Sequence, residues 1–149
     1  MINFIYNDGG RKNAGFSGKA GDCVCRAICI ASGRDYNEVY EVLASGNKTQ
    51  RKSKYSTKKD GVKTASHGIN TNRKWFKDYM NSIGFEWVPT MKVGQGCKVH
   101  LREDELPKGK LVVSLSRHYA AVIDGVLHDI SDCSRFGTRC VYGYWIYKG

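Results

Sequence analysis

The sequence predicts an α+β fold, with helices in its first half and an antiparallel sheet in its second. Apolar residues keep helical spacing up to Gly84, and the chain beyond it breaks into short β-branched and aromatic runs. Between two of those runs stands Asp124-Gly125, a strong two-residue hairpin signal. A length of 149 residues suits one domain spanning 1–149, and 41% hydrophobic with 11% aromatic residues argues for a globular chain. No run of about 18 apolar residues exists, so no membrane span is expected. The N-terminus lacks a basic start followed by an apolar run, so no secretory leader is expected and the expected compartment is the cytoplasm.

Taken in order, Ile2 to Tyr6 reads as a short strand, followed by a glycine-rich lead to Gly21. Asp22 can cap a helix through its carboxylate, which places Cys23 in the first turn. From Cys23 to Ala31 only Arg26 is charged, so this helix should be buried nearly all round. Asp35 caps the next helix, whose Tyr36, Val39, Tyr40 and Leu43 keep helical spacing, and Gly46 offers a stop. A third helix opens at Thr71 or Asn72, carries Trp75, Phe76, Tyr79, Met80 and Ile83 on one side, and ends at Gly84. Six strands follow: Phe85 to Val88, Cys97 to Leu101, Leu111 to Ser116, His118 to Ile123, Val126 to Ile130 and Val141 to Tyr147.

A basic loop is expected at about 46–70. Its stretch from Lys48 to Lys63 holds seven basic residues and one acidic one, so it supplies +6 of the net charge of +10. Such a run reads as a solvated loop with affinity for polyanions, with Arg51, Lys52, Lys54, Lys58 and Lys59 as its candidate contacts. A solubilising role needs no dedicated ligand. Arg11, Arg26, Arg117, Arg135 and Arg139 are further candidates for recognising an anion, since guanidinium forks suit phosphate and carboxylate.

The chemistry lies in Gly21-Asp22-Cys23, His118 and Asp129. If Asp124 and Gly125 form a two-residue turn, Ala120 faces Asp129. His118 then lies diagonally from that acid on the same sheet face, about 7–8 Å away at the backbone. His128 pairs with Ala121 on the opposite face. A helix N-terminus and a nearby imidazolium lower a thiol's pKa, and an acid holds the imidazole in its productive tautomer. These are the parts of a thiol-dependent acyl-transfer enzyme, with Cys23 as nucleophile, His118 as base and Asp129 as orienting acid. Cys25 is the rival nucleophile if the helix starts later. Asn13 and Ser17 are candidate oxyanion donors, alongside the N–H of Cys23 itself.

The segments Asp22-Cys23 and His118-Tyr119-Ala120-Ala121-Val122, followed by Asp129, resemble papain-like cysteine peptidases. The likeness is greatest to the bacteriocin-processing peptidase domains of export transporters and to small phage and bacterial relatives. The resemblance implies a papain-like fold, with the nucleophile at a central helix start packed on a C-terminal antiparallel sheet. It implies the same three catalytic roles. It also implies hydrolysis of a peptide, isopeptide or side-chain amide bond by a phage or bacterial protein, in the host cytoplasm if phage-encoded. One departure stands out: those families place a glutamine a few residues ahead of the nucleophile, and Phe16 to Gly21 contains none.

The six cysteines (23, 25, 29, 97, 133 and 140) are expected as free thiols, given no export signal. Cys97-x-x-His100 has metal-ligand spacing, and Cys133 and Cys140 could complete a tetrahedral zinc site. Six residues separate that second pair, too many for a tight knuckle, so no metal or cofactor is expected. The expected partner is a protein or peptide substrate, acidic by preference against a +10 chain. The alternative function is a catalytically inactive basic module contacting nucleic acid or an acidic protein through the basic loop.

Overall fold

A computed structural model describes residues 2–15, 22–48, 71, 73–91, 94 and 96–149. The chain runs β1 (Asn3–Tyr6), α1 (Cys23–Ser32), α2 (Tyr36–Lys48), α3 (Lys74–Ser82), β2 (Phe85–Pro89), β3 (Lys110–Leu115), β4 (His118–Ile123), β5 (Val126–Asp129) and β6 (Gly143–Tyr147). It is an α+β fold, as the switch from helical to strand periodicity predicts. The strands form one sheet in the order β1-β5-β4-β3-β6-β2.

The sheet is mixed, not antiparallel. β1 lies parallel to β5, with Asn3 opposite Val126 and Tyr6 opposite Asp129. Antiparallel pairing joins the other neighbours. A parallel partner needs a long crossover, and the chain between Tyr6 and Val126, with all three helices and β2 to β4, supplies it. The hairpin at Asp124-Gly125 has the expected register, with Ile123 opposite Val126 and Ala121 opposite His128. Both turn residues have positive φ (48° and 82°), the geometry that an Asp-Gly pair accommodates and that matches strand twist.

Hydrophobic cores line both faces. On one face α1, α2 and α3 pack through Ile28, Val39, Leu43, Phe76 and Met80 against Val112, Tyr119, Ala121 and Trp145 of the sheet. On the other, Leu111, Val113, Ala120, Val122 and Leu127 meet Leu101, Leu106 and Val141 from the loops. Each fully buried aliphatic side chain contributes about 1.5–3 kcal/mol, so alternate strand residues are held to opposite faces by the same force.

Several local expectations are corrected. Gly46 does not stop α2, which continues to Lys48. A Cβ at Gly46 would stand 2.3 Å from the Trp75 ring, so this glycine is the seat on which α3 packs. The basic loop therefore begins later than 46. Helix α3 begins at Lys74 with Arg73 at its cap position, not at Thr71 or Asn72. Asp35 does cap α2, accepting a hydrogen bond from the Glu38 N–H at 3.2 Å. Cys97 to Leu101 forms no strand, only an isolated bridge between His100 and Cys140. Cys97 and Cys140 are joined in a disulfide, which corrects the expectation of free thiols at those two positions.

Candidate active site

Cys23 is the first residue of α1, and His118 is the first residue of β4. Helix α1 lies across β4, so these two element starts meet at one rim of the packed core. The Cys23 thiol shares one cavity wall with His118 and Tyr119, and its pKa is set by the His118 ring and the backbone N–H of Tyr119. Burial alone would raise the pKa of this thiol. The His118 hydrogen bond and charge outweigh burial, with help from the Tyr119 N–H and the Arg26 charge, and hold it below its ordinary value. A thiol so held is the nucleophilic form at lower pH than a free cysteine.

The hairpin register places Asp129 beside His118, and their side chains bond, Nε2 to Oδ2, at 2.6 Å. Burial works to lower the His118 pKa. Asp129, Cys133 and Cys23 as hydrogen-bond partners overcome it and push the imidazole up to about 11. Asp129 is only 3% exposed. Burial would raise its pKa, but His118, the Ile130 N–H (2.8 Å) and the Arg26 charge keep it below the usual carboxylate range. The result is a buried carboxylate, a cationic imidazole and an activated thiol in sequence. His128 turns to the opposite face as its parity requires, where it meets the side chain of Asn7 at 3.3 Å.

A second layer of charge lies behind this set. Asp22 occupies the cap position of α1 but its side chain makes no capping hydrogen bond. The carboxylate, 1% exposed, instead pairs with Arg26 one turn along and accepts the Tyr36 hydroxyl, with Arg11 Nε at 3.2 Å. Arg26 is itself buried and reaches on to Asp129, Nη2 to Oδ1 at 3.6 Å. Arg26 is thus a tie between the helix start and the acid rather than an anion receptor. The sequence signal was available: one charge in an otherwise apolar helix, four residues after an aspartate.

Cys25 lies fully buried two residues after Cys23, its thiol directed to the Tyr36 carbonyl at 3.8 Å. A hydrogen bond with Cys29, burial and neighbouring negative charge all raise its pKa far above the ordinary value. The rival nucleophile is therefore the less reactive thiol.

Cys133 is half-buried beside the imidazole. It brings a thiol within 4.8 Å of donor atoms of His118 and Asp129, a set that could hold a cation. An ion there would have to displace the proton between His118 Nε2 and Asp129 Oδ2. The zinc set considered from spacing does not form, because Cys97 and Cys140 are consumed in their disulfide and His100 bonds Glu105 at 3.1 Å.

Asn13 is exposed in the lead turn, and no hydrogen bond ties it to Cys23. Ser17 and the loop cations Arg51, Lys52, Lys54, Lys58 and Lys59 lie outside the described residues. Among the described residues no helix is long and apolar enough to cross a membrane. No protein-family model matches the chain, and neither a curated protein nor a solved structure resembles it.

Proposed function

We propose that this chain is a cysteine-dependent hydrolase of papain-like type, acting on a peptide, isopeptide or side-chain amide bond. The observation that carries the reading is one constellation: Cys23 at a helix start, in reach of a cationic His118 that Asp129 holds at 2.6 Å. In this reading the Cys23 thiolate attacks the substrate carbonyl carbon and a tetrahedral oxyanion forms. The N–H of Cys23 is the donor to that oxyanion, a contribution of about 2.7–4 kcal/mol for a well-placed group. Collapse breaks the C–N bond while His118 gives its proton to the departing amine, leaving a thioester on Cys23. Water then attacks the thioester as His118 takes its proton, and the acid product leaves with the thiolate restored. Asp129 remains ionised throughout and keeps the ring oriented. A phage or bacterial origin belongs to the same proposal, while the Cys97–Cys140 disulfide weighs against the cytoplasm expected from the N-terminus.

The test is alkylation by iodoacetamide across pH with peptide mapping, on wild type and His118→Ala, followed by intact-mass detection of an acyl adduct from an activated ester. Fast labelling of Cys23 near neutral pH that depends on His118, with the adduct on Cys23, is expected. Slow labelling spread over several cysteines and indifferent to His118 would overturn the proposal. A second reading, a basic module binding nucleic acid or an acidic protein, draws on the net charge of +10. Under that reading Cys23→Ala would be silent and neutralising the loop cations would abolish binding.

A further inference from the structure

The cleft at Cys23 has two chemically different arms. A cavity of about 290 Å³ is lined by Cys23, His118 and Arg117 together with Thr71, Ser114 and Tyr119. Those last three residues also line a neighbouring cavity of about 310 Å³, whose other walls include Trp87, Tyr142 and Trp145. On the other side, Arg117 and His118 also line a third cavity of about 660 Å³, which adds Arg135 and Arg139. The thiol therefore sits between an aromatic arm and an arginine arm.

The arginine arm holds three guanidinium groups against one carboxylate, that of Asp132. Asp132 is already engaged, accepting the Ser134 N–H at 2.9 Å and its hydroxyl at 2.7 Å. Arg139 is engaged too, its Nη2 donating to the Ser116 carbonyl at 2.5 Å and bracing the turn before His118. Arg117 and Arg135 are exposed, and neither forms an ion pair among the described residues. Both also have left-handed backbones, φ 56° and 51°, where glycine or asparagine is the ordinary occupant. Two exposed arginines without an ion pair thus stand on left-handed turns beside the imidazole, their guanidinium groups open to an incoming anion.

Resting on the hydrolase reading, we propose that this arm is a carboxylate subsite, with Arg117 and Arg135 as specificity-determining residues. The substrate carries an acidic group on one side of the scissile bond and an aromatic or aliphatic group on the other. The acidic group is a side-chain or a terminal carboxylate, which a guanidinium fork accepts in the same bidentate manner. Arg117, common to two of the cavities, fixes how close that carboxylate comes to the thiol.

The test compares alkylation of Cys23 by iodoacetate and by iodoacetamide, which share the reacting iodomethyl carbon but carry a carboxylate or a neutral amide, on wild type and on Arg117→Gln/Arg135→Gln. The ratio of the two rates divides out any general change in thiol reactivity, and so reads the subsite even if Cys23 proves slow. Failure of the hydrolase reading shows separately, as slow iodoacetamide labelling. The ratio should fall about tenfold in the double variant. In wild type it should also fall as salt rises from low to high concentration, a reading that needs no variant to fold. An unchanged ratio in the variant, or a salt-independent one in wild type, would overturn the proposal. Two peptides then separate the sources as competitors of iodoacetamide: one with glutamate and an amidated end, one with glutamine and a free carboxylate. Protection by the first assigns a side-chain carboxylate, and protection by the second assigns a chain terminus. Protection by neither would count against the subsite.

Discussion

Cys23 and Cys25 stand two residues apart on one helix, yet their thiols are driven in opposite directions. Cys23 opens α1, faces a cationic imidazole and takes a backbone N–H, so its pKa is lowered despite burial. Cys25 points into the helix-side core, where a second thiol, burial and the Asp22 charge all favour the protonated form. Residue type and helix are the same. What differs is which charges and donors meet the sulfur, and position on the first turn decides that.

The strongest way to break this contrast is to exchange the two thiols for hydroxyls. Cys23→Ser should abolish the fast alkylation near neutral pH and any turnover, measured by mass mapping and by release of product. If fast labelling persists at Cys25, the assignment of the nucleophile is wrong. Arg26→Leu comes next. It leaves Asp22 and Asp129 buried without their shared cation, and loss of one partner in such a set costs about 3–5 kcal/mol, read as a lower urea midpoint. A loss below 1 kcal/mol would mean that Arg26 does not tie the two acids together.

His118→Ala sharpens the contrast by removing the imidazole alone. Alkylation of Cys23 at neutral pH should slow by about tenfold or more, with the pH profile moving up toward the ordinary thiol value. The wild-type profile should instead rise at a lower pH than that of an ordinary thiol. Stability follows the same groups. His118 has its pKa raised from 6.5 to about 11, so its stabilising charge is fully present below 6.5 and is lost as pH rises toward 11. Asp129 is shifted down from 3.8, so its contribution is present above 3.8 and is lost as pH falls through its lower folded value. Denaturant midpoints across pH should therefore form a plateau that declines on both sides; in His118→Ala the decline that starts above 6.5 should vanish, while the decline above 9 stays, because burial also raises the pKa of Cys25 and Tyr36. Smallest is Cys25→Ser, which buries a poorly paired hydroxyl at a cost of about 1–3 kcal/mol and leaves Cys23 labelling within about twofold.

Much of the candidate site could be read before any coordinates. The parity of the Asp124-Gly125 hairpin brought His118 and Asp129 together and separated His128, because side chains alternate and a two-residue turn sets the register. The buried helix beginning at Cys23 followed from its composition. Other features were hidden for physical reasons. Gly46 looks like a stop in sequence, and only the approach of Trp75 from another helix explains a glycine there. Asp22 looks like a cap, but a buried arginine one turn away competes better for its carboxylate than backbone N–H groups do. The disulfide joins residues separated by 43 positions, and no local pattern records such a meeting.

By itself the sequence determined the three helices, most of the strands and the hairpin register that pairs His118 with Asp129, since each depends on periodicity or on residues close in the chain. Only the tertiary structure decided the parallel placement of β1, the Asp22–Arg26–Asp129 tie and the two-armed cleft. Those depend on long-range packing, in which burial forces each charge to find a partner wherever the fold brings one within reach.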